Sequence, residues 1–369
     1  MSSRGWPETR ESGLALRVGL NSRRYSCLHQ NQMLTSVPSY PTAGSQSRTS
    51  LPTEGCGPSR PKVAVLVLNW NAWEVTCDCL RSLARLEYEN YDVAVIDNGS
   101  TDGSVQKFRQ RFADLTILEN GANLGFAAGN NIGVRYALEH GAQYVLLLNN
   151  DTVVSPSFLS ALVRVAESDN RVGILNPKIY YFDPPDRIWY AGGSFTPWFG
   201  FARHKGIRKR SCDLHDSTRE VTFITGCAFL IKAEVIRRIG LLDESFFMVC
   251  EDTDWSIRAL RAGFRAMYVA EAEISHRESY TIRNRKGKAF RDYYNIRNSL
   301  LLARKHARFY HWPSFAACLL STIVYRAAGY SVLGQFDRIV ALGRGLRDGM
   351  RHPVCGNGVQ FIGANLDHG

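Results

Sequence analysis

The chain has 369 residues, 45% of them hydrophobic and 21% charged, and a formal net charge of +11. This composition fits a globular protein large enough for a full core and excludes a fully disordered, collagen-like or disulfide-stapled chain. The charge is uneven: residues 1–60 carry +4 and residues 281–351 carry +11, which leaves 61–280 near −3. A nucleic-acid binder would be expected to carry its basic patch on the folded domain, whereas a basic end also suits an anionic membrane surface.

Residues 1–60 are rich in Ser, Thr, Pro, Gly and Arg without a sustained period, as in a disordered lead, and nothing before Met33 looks foldable, so Met33 is a candidate true start. Arg10, Arg17, Arg23 and Arg24 interrupt the first thirty residues, so no secretory signal is expected. No uninterrupted apolar run reaches spanning length. Nine cysteines without a CxxC pair read as structural thiols of a cytosolic chain.

From Lys62 the texture changes. Val63 to Leu68 is an apolar run of strand length ending in Asn69, Trp70 and Asn71, and a helix is expected over about Val75 to Leu86. Val93 to Ile96 is a second buried strand, ending in Asp97, Asn98 and Gly99. Ser104 to Phe112 reads as a helix, Leu115 to Leu118 as a strand and Ala127 to Leu138 as a helix. Tyr144 to Leu148 is the next strand, ending in Asn149, Asn150 and Asp151, and Ser155-Pro156 opens a helix to about Glu167.

Ile188 to Phe201 is dense in aromatics and glycine, His204 to Arg210 is a basic loop, and Val221 to Ile231 is strand-like around Gly226. Glu251 to Ala262 predicts a helix and Ala266 to Val269 a short strand before His276. Strands alternating with helices predict an α/β fold with a mostly parallel sheet covered by helices on both faces. Ligands of such sheets bind beyond the carboxyl ends of the strands, where three strands here release Asn or Asp.

Asp97-Asn98-Gly99 alone would be a turn; three such edges in one sheet point to a ligand. Asn123-Leu124-Gly125-Phe126, followed by Gly129, Asn130 and Asn131, is a loop-to-helix junction whose small residues permit close backbone approach. Its spacing is not the dinucleotide fingerprint GxGxxG. Asp151 would bring one carboxylate to the pocket rim, enough for a hard divalent cation that takes its other ligands from phosphate and water. His276 could complete that shell or be structural. Glu251, Asp252 and Asp254 stand at a helix start, where a carboxylate can complement the dipole, act as general base, or both.

Together, Val63 to Asn71, DNGSTDGS at Asp97–Ser104, NLGFAAGNNIG at Asn123–Gly133, LNNDT at Leu148–Thr152, Thr225 to Glu244 and Phe246 to Gly263 resemble, in order and spacing, family 2 glycosyltransferases, most closely their rhamnosyltransferase-like branch. The resemblance covers about residues 62–300. It implies a GT-A fold, a nucleotide-diphosphate sugar donor with dTDP-rhamnose leading and UDP-sugars next, a Mg²⁺ or Mn²⁺ ion, and inversion at the anomeric carbon. Asn69, Asp97, Asn123, Gly125 and Asn150 would bind the nucleotide, Asp151 and His276 the metal, and Asp252, with Glu251 as the alternative, would be the base.

Asn149-Asn150-Asp151 replaces a full Asp-x-Asp. The expected domains are the lead 1–60, a catalytic domain 61–300, a basic helical extension 301–351 and a flexible tail 352–369. A lipid-linked saccharide acceptor would give the basic end a purpose. Trp312 to Leu333, apolar but broken by Arg326, suits an interfacial helix, a helix packed on protein, or a span. The expected location is cytoplasmic, peripheral on the inner face of the plasma membrane. The competing readings are a catalytically silent sugar-nucleotide binder or scaffold and, on pI alone, a nucleic-acid binder; nucleic acid is not the expected partner.

Overall fold

The computed structural model describes residues 60–278 and 287–353. Met33, nearly all of the expected lead and most of the tail lie outside the described residues. The first half alternates β1 (Val63–Asn69), α1 (Trp73–Leu83), β2 (Tyr91–Asp97), α2 (Ser104–Arg111), β3 (Thr116–Glu119), α3 (Gly125–Glu139) and β4 (Tyr144–Asn149). β1 lies parallel between β2 and β4, with β3 outside β2. Val63, Val65, Leu66 and Val67 are fully buried because helices cover the sheet, which is why the strand is a continuous apolar run. The register sets Asn69 opposite Asp97 and Leu68 opposite Asn149, so three strand ends reach one edge together.

The second half holds β5 (Thr152–Val154), α4 (Phe158–Glu167), β6 (Val172–Tyr181), β7 (Ile188–Tyr190), β8 (Gly193–Thr196), β9 (Phe201–His204), β10 (Arg219–Val221), β11 (Ala228–Lys232), α5 (Ala233–Ile239), α6 (Glu251–Arg261) and β12 (Arg265–His276). The main sheet runs β10-β12-β6-β11-β4-β1-β2-β3, with β11 antiparallel to both β4 and β6. The strand expected over Val221 to Ile231 is two strands. Asn176 of β6 accepts from the Thr225 amide (2.7 Å) and donates to its carbonyl (3.1 Å), holding the intervening segment as a loop. The strand expected over Ala266 to Val269 continues past a bulge to His276, pairing antiparallel with β5. That pairing brings the end of β12 beside Asp151.

Three helices follow: α7 (Lys288–His306), α8 (Trp312–Val332) and α9 (Phe336–Arg351). They share a core of Ile296, Leu300, Phe315, Leu319 and Leu342, while Leu301 and Leu302 of α7 pack on Phe246 and Ile257. The outer face of α8 is open: Leu320 is 62%, Tyr325 82% and Val332 87% exposed. Phe309–Val332 is, among the described residues, long and apolar enough to cross a membrane by length and composition. The uninterrupted-run criterion missed it because Arg326 breaks the run; as a helix, the segment turns that guanidinium inward to Asp292, 3.3 Å away.

Candidate active site

A cavity of about 590 Å³ opens at the carboxyl edge of the strands. Its walls come from the strand ends (Trp70, Asn98, Asn123, Gly125, Asn150, Asp151), from Gly226 and Cys227, from Phe247 to Thr253, from His276, and from α7 and α8.

On the side of β1 and β2 the polar groups satisfy one another. Asp97 Oδ2 accepts from Asn69 Nδ2 (2.8 Å) and Oδ1 from the Ser100 amide (2.8 Å). Asn69 Oδ1 accepts from Thr76 Oγ1 (2.8 Å), and Asn150 donates to the same hydroxyl (2.8 Å). Asn69 and Asp97 do not line the cavity; they brace the loop behind its wall. The residue that faces it is Asn98, which was not singled out from the sequence. Its Nδ2 donates to Asn123 Oδ1 (3.1 Å) and to the Gly125 carbonyl (3.1 Å), and its Oδ1 accepts from Asn120 Nδ2 (3.0 Å).

The small residues of α3 serve a different approach from the one expected of them. A Cβ on Gly125, where φ is +83°, would lie 2.5 Å from the Phe247 ring and carbonyl. One on Gly129 would lie 2.9 Å from Leu68, and one on Gly133 2.8 Å from Ile96. The stripe thus lets α3 sit close on the sheet and on Phe247. The Phe247 carbonyl in turn accepts from the Phe126 amide (2.6 Å) at the start of α3.

At the floor, the β5–β12 pairing sets His276 Nε2 3.1 Å from Asp151 Oδ1, and the Arg277 amide donates to the Asp151 carbonyl (2.9 Å). Both ring nitrogens of His276 are buried without a well-aligned hydrogen bond. Burial opposes charging this imidazole, yet the adjoining Cys227 and the Asp151 carboxylate push its pKa up. Among the described residues no three His, Cys, Asp or Glu side chains converge to hold a metal alone. One carboxylate and one imidazole fit a hard cation that takes its remaining ligands from a diphosphate and water, so the residues present suit Mg²⁺ or Mn²⁺ bound with a nucleotide.

Opposite stands the start of α6. Asp252 Oδ2 accepts from the Gly226 amide (2.8 Å) and Oδ1 from the Thr253 amide (2.6 Å) and hydroxyl (3.2 Å). Glu251 Oε2 is buried without a hydrogen-bond partner among the described residues. Burial raises the pKa of both, and for Glu251 the neighbouring Asp252 raises it further. Three donated hydrogen bonds offset burial on Asp252 and, among the described residues, none reaches Glu251 Oε2, so of the two it is Asp252 whose charge is better stabilised. Asp254 has a different task. Arg258, Lys305 and His306 surround it at 2.7–2.8 Å, and although burial works against its charge, these partners hold its pKa well below the carboxylate range.

The turn entering α6 is strained: Phe247, Val249 and Cys250 have φ of 60°, 69° and 75°, at a cost of about 1–3 kcal/mol each. Asn298 of α7 offsets that strain by donating from Nδ2 to the carbonyls of Phe246, Met248 and Val249 at 2.7–2.8 Å. No local pattern in the sequence points to this clamp, which acts across about fifty residues.

The mostly parallel sheet covered by helices, with a pocket at the carboxyl ends of its strands, is that of a GT-A-type fold. The sequence model described as "Glycosyltransferase like family 2" matches residues 61–295, and the chain belongs to that family. It is 27% identical over 221 residues, 55% of this chain and 71% of the other, to an N-acetylglucosaminyl-diphospho-decaprenol L-rhamnosyltransferase of Mycobacterium tuberculosis. It is 25% identical over 240 residues, 61% of this chain and 74% of the other, to the dTDP-rhamnosyl transferase RfbF of Shigella flexneri. Among solved structures, GalNAc-T7 with UDP, GalNAc and Mn²⁺ superposes with a TM-score of 0.55 at 13% identity, over 84% of this chain and 60% of that one, a likeness of fold.

Proposed function

We propose that this chain transfers rhamnose from dTDP-rhamnose, with inversion at the anomeric carbon, to a hydroxyl of a lipid-linked saccharide in the assembly of a cell-surface glycan. The observation that carries the reading is the pairing, across one cavity, of Asp151 and His276 with Glu251 and Asp252. UDP-sugars are the next donor class. The rhamnosyltransferase relatives support the sugar, and the catalytic unit is read as 61–300 with 301–351 as its helical extension.

Asp252, ionised and fixed by three hydrogen bonds, takes the proton of the acceptor hydroxyl as its oxygen attacks the anomeric carbon. The sugar–phosphate bond breaks on the opposite face, and no covalent sugar–enzyme intermediate is required. Glu251, neutral beside it, avoids placing a second negative charge next to the base. Asp151 and His276 would hold a divalent cation, which supplies charge compensation for the departing diphosphate. Asn98, Asn123 and Gly125 form the nucleotide wall, Asn150 lines the cavity beside Asp151, and Asn69 acts through Asp97 by fixing the loop behind that wall.

The chain would work at the cytoplasmic face of the plasma membrane, as a peripheral protein. Apart from Arg326, α8 has no charged residue, and Leu320, Val324, Tyr325 and Val332 stand exposed where a surface helix in water would carry charge. The test is transfer from dTDP-rhamnose and from UDP-sugars to N-acetylglucosaminyl-diphospho-polyprenol, with the product's anomeric configuration read by NMR. Transfer from dTDP-rhamnose with inverted configuration is expected. Retained configuration, or no transfer from any donor by folded protein, would count against the reading.

A further inference from the structure

The cavity has a wall that donor chemistry does not use. Phe290, Arg291 and Asn295 of α7 and Thr322 and Arg326 of α8 line it, apart from the strand ends and from Asp151. Arg291 is exposed and pairs with no carboxylate among the described residues. Asp292, next to it in sequence, is shared by Arg326 (3.3 Å) and Arg338 (2.7 Å), so two guanidiniums already face one carboxylate in this helix junction. Two guanidiniums on one wall of the cavity, one of them without a carboxylate among the described residues, suit an anion there.

We propose that Arg291 and Arg326 form the acceptor's phosphate subsite, holding the phosphate or diphosphate that joins the saccharide to its lipid. The proposal rests on the lipid-linked acceptor reading above and adds the site and the recognised group. Guanidinium forks suit phosphate oxygens, and charge-assisted pairs of this kind are among the stronger polar contacts. The neighbouring surfaces fit the rest of such a molecule. On the sugar side, the Phe247 ring stacks on Tyr294 at 5.3 Å and Phe290 meets Tyr294 edge-on at 4.8 Å. Phe247 and Phe290 line the cavity and offer apolar ring faces between the arginines and the start of α6. On the lipid side, Arg326 belongs to α8, whose exposed Leu320, Val324 and Tyr325 give an isoprenoid or acyl chain an uncharged surface on leaving the phosphate.

The geometry also separates this anion from the donor's. Asp151 and His276 lie at the β5–β12 edge, while the arginines stand on α7 and α8, so the donor's diphosphate and this anion would have different holders on the cavity wall. That arrangement lets the enzyme select an acceptor by its carrier as well as by its sugar.

The test is calorimetric binding of farnesyl diphosphate to the full chain with the nucleotide site filled by saturating dTDP and Mn²⁺. Wild-type protein should bind it, Arg291→Gln should weaken binding about tenfold, and farnesol should bind neither. Arg291 has no ion pair to lose among the described residues, so this variant should fold; Arg326→Lys, which keeps the charge but loses the fork, should weaken binding by a smaller factor. Equal affinity of wild type and Arg291→Gln would overturn the proposal, as would a failure of wild type to bind. Inorganic pyrophosphate binding as tightly as farnesyl diphosphate would also overturn it, because the site would then recognise a free anion without its lipid. Titration of dTDP and Mn²⁺ alone should be the same in wild type and Arg291→Gln. Absence of nucleotide binding in both would sink the transferase reading and is seen separately from the prenyl result.

Discussion

One turn of α6 carries two kinds of carboxylate. Asp254 is 0% exposed and closed in by Arg258, Lys305 and His306. Glu251 and Asp252, three and two residues earlier, have backbone amides, a hydroxyl and each other, with no cation beside them among the described residues. Burial acts on all three, and the partners decide the outcome: the pKa of Asp254 is held well below the carboxylate range while those of Glu251 and Asp252 are raised. A buried acid supplied with counter-ions is a structural tie between α6 and α7; one left without them is available for chemistry.

The sharpest way to separate the two is Asp252→Asn, which should lower kcat by about 10²–10⁴-fold while dTDP binding stays near wild type. Normal turnover would remove Asp252 from the base role. Asp254→Asn should act on the fold instead, costing about 3 kcal/mol in denaturant unfolding at neutral pH because it strips charge from a buried pair. The sign with pH follows from its depressed pKa. The stabilisation is present above the unfolded-state value of a carboxylate and fades as pH falls through the lower folded value, so the gap between variant and wild type should narrow in acid.

Asn298→Ala tests the clamp between these regions. Released carbonyls at the strained turn should misplace Asp252, lowering kcat about tenfold with the donor KM little changed. A change confined to KM would move the role of Asn298 to binding. The smallest effect is expected of Glu251→Gln. The folded-state pKa of Glu251 is raised, so the wild-type fold loses stability as pH rises from the unfolded-state value towards the folded one. The Tm of the variant should therefore gain on wild type between pH 4 and pH 8, and a constant difference would refute a neutral Glu251.

What the sequence showed and what it hid follow the same physical line. The strands over Val63 to Leu68 and Tyr144 to Leu148 were legible because both sheet faces are covered and the runs are continuously apolar. The Asn and Asp residues at their ends were legible as an edge. β6, a ten-residue strand at the middle of the sheet, carries Asn176, Pro177 and Lys178 among its apolar residues and was not assigned; its polar groups serve a loop contact and an ion pair that only the fold supplies. Asp151 and His276 could each be named, yet their meeting depends on the continuation of β12 past a bulge. Asn98 was hidden inside a turn signal, and Asn298 inside an ordinary helix, because their partners are 25 and about fifty residues distant. The glycines of α3 were read as room for a ligand: Gly125 does line the cavity while fitting against Phe247, and Gly129 and Gly133 let the helix sit close on the sheet.

In the proposed function this cavity holds a nucleoside diphosphate through a cation that Asp151 and His276 would bind. The most direct test is calorimetric titration of dTDP, UDP and GDP into wild type and Asp151→Ala, each with and without Mn²⁺. The account predicts that one nucleotide, dTDP, binds wild type in a Mn²⁺-dependent way and that the variant loses this dependence. Folded wild-type protein that binds none of the three, or an Asp151→Ala variant with an unchanged Mn²⁺ dependence, would contradict it.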